Sequence, residues 1–123
     1  MQDRDALISE ITRLIVSDGK VSARHWDAFV LVYWCGAGTR QTNGFSYAGD
    51  DHYMPCTPRT PLAELLEELR DASYVPGRLP WQACILTLRD AGRRVSTDFV
   101  YDDATRWHVT PRTVAEIAES LRP

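Results

Sequence analysis

Residues 26–35 of this chain of 123 residues, WDAFVLVYWC, are apolar on both sides of an extended backbone. Trp26, Ala28, Val30, Val32 and Trp34 fall on one face, and Asp27, Phe29, Leu31, Tyr33 and Cys35 on the other, because successive side chains of a strand point in opposite directions. Aromatic and branched residues favour a strand over a helix here. A strand that is apolar on both faces has to be covered on both for much of its length. The chain therefore needs a sheet with this strand in its middle and a layer on each side.

The flanking segments supply those layers. Leu7, Ile8, Ile11, Leu14 and Ile15 recur at helical spacing opposite Glu10 and Arg13, and Ser17-Asp18-Gly19 reads as a stop. A turn at Gly36-Ala37-Gly38 leads into a second strand over 40–48, and Gly49-Asp50-Asp51 marks another turn. Residues 52–56 read as a short edge strand ended by Pro55 and Pro58. Thr60-Pro61 reads as a capped helix entry, followed by the stripe Leu62, Leu65, Leu66 and Leu69, with Glu64, Glu67 and Glu68 toward solvent and an end before Pro76-Gly77. Pro80 opens a strand over 81–88, Asp90-Ala91-Gly92 turns it, and a strand returns. Thr110-Pro111 repeats the capped entry before Val114, Ile117, Ala118 and Leu121. The order α-β-β-(β)-α-β-β-α predicts one α+β domain over residues 1–123, a mainly antiparallel sheet of four to five strands with helices packed on it.

Composition narrows the function. A net charge of −3 with dispersed arginines lacks the basic stripe of a nucleic-acid reader, so no direct nucleic-acid contact is expected. The first ten residues lack the basic and apolar regions of a secretory signal, and the longest apolar run is far shorter than the roughly 20 residues of a membrane-spanning helix. A cytoplasmic location is the expectation, with no membrane contact. Cys35, Cys56 and Cys84 are odd in number and widely spaced, which suits reduced packing thiols. The glycines form neither a dinucleotide fingerprint nor a phosphate loop, and no cofactor is expected.

The returning strand places Val95, Thr97, Phe99 and Tyr101 on one face and Ser96, Asp98, Val100 and Asp102 on the other, a wet side carrying carboxylates. The whole hairpin, PWQACILTLRDAGRRVSTDFVYDD, resembles the signature of the YezG-like family of immunity proteins, which neutralise bacterial polymorphic toxins. The resemblance rests on Pro80-Trp81 opening the strand, the glycine-containing turn, and the acidic segment from Asp98 to Asp103. The preceding order of helix, aromatic strand and leucine-rich acidic helix agrees with it, whereas the pair Arg93-Arg94 and a less tyrosine-rich sheet depart from it. What the resemblance implies is a protein without enzymatic activity that binds a cognate toxin, often a nuclease, and blocks its active region.

On that reading the toxin-facing residues are Asp98, Tyr101, Asp102, Asp103 and Trp107, with Asp50, Asp51 and Tyr53 in a second acidic loop. Trp107 stands as an exposed anchor between Arg106 and His108, whereas Trp34 and Trp81 belong to the core. The bland alternative is that these carboxylates only solubilise and guard a sheet edge. A second reading makes Asp98, Asp102 and Asp103, with His108 as a further candidate, the ligands of a small metal-dependent hydrolase. A third is an oligomeric ligand-binding or adaptor domain.

Overall fold

The computed structural model describes residues 3–36 and 38–123. The apolar segment forms β1 (Ala28–Gly36), and its side chains from Ala28 to Trp34 are all buried. It pairs antiparallel with β2 (Thr39–Tyr47) on one side and β4 (Ala83–Arg89) on the other. A two-residue β3 (Met54–Pro55) and the returning β5 (Arg94–Val100) complete an antiparallel sheet of order β3-β2-β1-β4-β5. The α+β architecture expected from the sequence is the one observed. Of the turn expected at Gly36-Ala37-Gly38, Ala37 lies outside the described residues.

Both faces of β1 are covered. Phe29, Leu31 and Tyr33 join Leu86 and Leu88 beneath α1 (Arg4–Ser17) and α3 (Ala63–Ala72), which contribute Leu7, Ile11, Ile15, Leu66 and Leu69. The opposite face, with Val30, Val32, Phe45, Tyr47 and Ile85, is covered by Val109 and by Ile117 and Ala118 of α4 (Val114–Ser120). Full burial of one such side chain contributes about 1.5–3 kcal/mol. Gln41 fastens the second layer to the sheet: its amide donates to the Val109 carbonyl at 2.6 Å and accepts from the Val109 N–H at 2.8 Å. The Tyr47 hydroxyl adds a bond to the Ala118 carbonyl at 2.7 Å.

Local signals met tertiary ones at several places. Asp18 ends α1 as expected, but its side chain also caps a second short helix, α2 (Gly19–Ser22), by accepting from the N–H groups of Lys20 and Val21. Thr60 does not cap α3: the helix starts at Ala63 behind Leu62 without a side-chain cap, and the Thr60 N–H and hydroxyl donate instead to Asp18. Thr110 gives α4 no side-chain cap either: that helix starts at Val114 behind Thr113, and the Thr110 hydroxyl accepts from the Thr113 N–H at 3.2 Å in the turn before it. Glu67 is not a solvated charge: it accepts the Tyr33 hydroxyl at 2.6 Å and pairs with Arg40 at 2.9 Å. In the hairpin turn the left-handed region is occupied by Asp90 and Ala91 as well as by Gly92. Gly92 is also where α1 packs closely, since a Cβ there would collide with Val16.

Candidate functional site

The hairpin segment folds into a rigid aromatic base that leaves its carboxylates free. Trp81 is buried and stacks on Phe99 across the β4–β5 pair, with ring centroids 5.5 Å apart. Tyr33 meets the same indole edge-on at 6.2 Å. Arg70 lies over it at 5.9 Å while donating from Nε to the Trp81 carbonyl at 2.6 Å. Tyr101 continues this face, half-buried, with the Arg78 guanidinium 3.6 Å from its ring centre. The strand itself stops at Val100, so Tyr101, Asp102 and Asp103 stand past its end instead of inside a strand.

Asp103 adopts a left-handed backbone, φ 53° and ψ 36°, which an aspartate tolerates better than most residues. That bend directs the chain into a 3-10 turn, Ala104–Trp107, with Ala104 buried against Trp34 and Ala83. The expectation that Trp107 is an exposed anchor is corrected here. Its ring is half-buried and packs against the second core cluster, because the turn folds it back over the sheet, and Arg106 covers it at 4.5 Å. His108, considered as a ligand beside the carboxylates, instead stacks on Trp34 at 4.2 Å with the rings 14° from parallel.

Asp98, Asp102 and Asp103 are exposed, and no ion pair reaches them among the described residues. Neither does any group of three or more His, Cys, Asp or Glu side chains converge to hold a metal ion among those residues.

The second acidic loop is built differently. The Gly49 N–H donates to Asp27 at 2.6 Å, and Arg122, paired with Glu119 at 3.1 Å, donates to the Asp51 carbonyl at 3.0 Å. The Gly49 bond and the neighbouring His25 hold the Asp27 carboxyl below its ordinary range. Asp50 and Asp51 are exposed, while Tyr53 is half-buried edge-on to Phe45 at 5.8 Å. The structure does not bring this loop to the other carboxylates. The loop follows Tyr47, whose row across the sheet is Ala28, Arg89 and Arg94, at the β3 edge. Asp102 and Asp103 follow Val100, whose row is Ala83, Trp34 and Gln41, at the β5 edge. The two acidic groups occupy diagonally opposite corners.

An open cleft of about 610 Å³, lined by Cys35, Arg40, Arg70 and Gln82 among others, was not foreseen from the sequence. Behind it runs the chain Tyr33, Glu67 and Arg40, joining residues on β1, α3 and β2. No local pattern pairs those positions. Burial raises the Tyr33 hydroxyl far above its ordinary range, with the bond to Glu67 adding to it. Burial likewise raises all three thiols, Cys84 to about 12, so they remain protonated near neutrality and are poor nucleophiles.

No protein-family model matches this chain, and no curated protein matches it. No described helix is long and apolar enough to cross a membrane.

Proposed function

We propose that this chain is an immunity protein, a non-enzymatic cytoplasmic inhibitor that binds a cognate secreted toxin, a nuclease with a basic cleft, and occludes that cleft. The observation that carries the reading is the division of labour within the hairpin. Its aromatic residues are spent on packing, Trp81 on Phe99 and Tyr101 under Arg78, while Asp102 and Asp103 project from the end of β5 without an ion partner among the described residues. Unpaired carboxylates on a fixed frame attract a cationic partner from a distance and set its orientation. The resemblance of the same segment to YezG-like immunity proteins supports this direction.

The test is a co-expression and binding assay with the toxin domain encoded beside this gene. Reversing charge at Asp102 and Asp103 to lysine lowers the association rate about tenfold or more at low salt, and the difference shrinks as salt is added. The same reversal at Asp50 and Asp51, on the far corner, leaves the rate unchanged. Protection and binding that survive the first double variant intact would reject this placement of the interface. A neighbouring toxin that the wild-type chain neither binds nor inhibits would reject the function.

A further inference from the structure

The sheet ends very differently at its two edges. β3 has two residues, one of them Pro55, so it offers little ladder to another strand. β5 has seven residues, most of them exposed, and among the described residues no strand lies beyond it. A full-length open edge of this kind is a template for a further strand, and its charge pattern says which strand fits.

Arg94, Ser96 and Asp98 share one face of β5. Within the protomer Arg94 stands directly across from Arg89, a like-charge pair, while Asp98 stands across from Ile85 with no cation paired to it among the described residues. Like charges directly opposite are destabilising and opposite charges stabilising. An antiparallel copy of β5 related by a two-fold axis through Ser96 puts Arg94 of one protomer across from Asp98 of its partner, and the relation occurs twice. Val95, 37% exposed on the other face, then meets Thr97 of the partner. Each side chain keeps its own face, because the offset is even. The unbalanced Arg89 and Arg94 pair gains a carboxylate, and the unpaired Asp98 gains a guanidinium.

We propose that β5 is a self-association edge, and that two copies of this chain join through it into a continuous antiparallel sheet of ten strands with the two-fold axis at Ser96. The proposal is independent of the toxin reading, since Asp102 and Asp103 lie beyond the strand and outside the seam. Two-fold pairing of identical patches is the commonest form of oligomer.

Sedimentation velocity of the full chain over a concentration series is the test. The wild-type chain sediments as a dimer at high concentration. Asp98→Arg alone and Arg94→Asp alone each weaken the dimer about tenfold or more, and the double exchange, which restores opposite charges in this register, recovers most of the loss. Far-ultraviolet circular dichroism checks that each variant keeps its fold. As a measurement that needs no charge reversal, Ser96→Cys in a Cys35→Ser background forms an intermolecular disulfide under mild oxidation, because the two copies of residue 96 face each other at the axis. A wild-type chain that is monomeric at every concentration overturns the proposal and leaves that edge to a foreign strand. A dimer that the single exchanges do not weaken, that the double exchange does not restore, or that fails to cross-link through position 96 overturns the register and the seam with it.

Discussion

Thr60 gives both of its donors, the backbone N–H and the hydroxyl, to a single oxygen of Asp18, each at 2.7 Å. The other oxygen accepts from Lys20 and Val21, so a carboxylate only 3% exposed has its hydrogen-bonding capacity largely filled. One side chain thus caps α2 and ties it to the loop that enters α3.

Removing that charge tests its contribution. Burial on its own would raise the Asp18 carboxyl, but the bonds from Thr60, Val21 and Lys20 outweigh it and hold the group below its ordinary range. A carboxyl lowered by folding stabilises the native state above its unfolded pKa of about 3.9, and that contribution fades as pH falls through the lower folded value. Asp18→Asn is expected to cost about 1.5–3 kcal/mol at pH 7. Urea unfolding followed from pH 7 to pH 3 should show the wild type losing its advantage over the variant in the acid range, and parallel curves would contradict this.

Gly44 is closed to any larger residue. A Cβ there would collide with the Cys56 carbonyl and the Phe29 ring, and the Gly44 carbonyl accepts the Cys56 N–H at 2.7 Å. Gly44→Ala should destabilise by about 1–3 kcal/mol, since backbone on one side and a core ring on the other have to move. Chemical denaturation measures the loss, and a change below 0.5 kcal/mol, the usual range of an exposed site, would refute the packing described.

Ala91 occupies the left-handed region at φ 54°. Holding a residue with a Cβ there costs about 1–2 kcal/mol, part of which returns as glycine's larger unfolded-state entropy. Ala91→Gly is therefore expected to raise the melting temperature slightly, and a clear fall would contradict the turn geometry.

The three thiols should differ in reactivity. Cys35 is half-buried at the rim of a cleft, whereas Cys84 is buried in the sheet with its pKa raised to about 12. An alkylating reagent at pH 8 should label Cys35 first, and Cys84 only when the chain unfolds, as read by peptide mass mapping. Labelling of Cys84 at the rate of Cys35 in the native protein would contradict its burial.

Legibility in the sequence followed the range of the forces involved. β1, β4 and the leucine face of α3 carried enough period and bulk to be read locally, and all three form with boundaries shifted by one to three residues. Asp18 ends α1 as its position implies, but its bond to Thr60, and those that take Thr60 and Glu67 away from the cap and the solvated charge expected of them, join residues far apart along the chain, which no local pattern marks. Trp107 was misplaced for a related reason: its burial depends on the left-handed bend at Asp103, and a single backbone reversal leaves no periodic mark. For the candidate site, the carboxylates of the hairpin were readable as exposed. The separation of Asp50 and Asp51 from them depends on strand order, which alternation alone does not encode.

The partner that completes β1 on its second side is synthesised late: Ala28 pairs with Arg89, and Trp34 with Ala83. While the ribosome is still adding the segment between them, that edge of the most hydrophobic strand has its backbone groups unpaired, although α1 and then β2 are already made. The nascent polypeptide must therefore pass through a sticky, aggregation-prone interval that closes only when residues 81–100 have emerged from the exit tunnel.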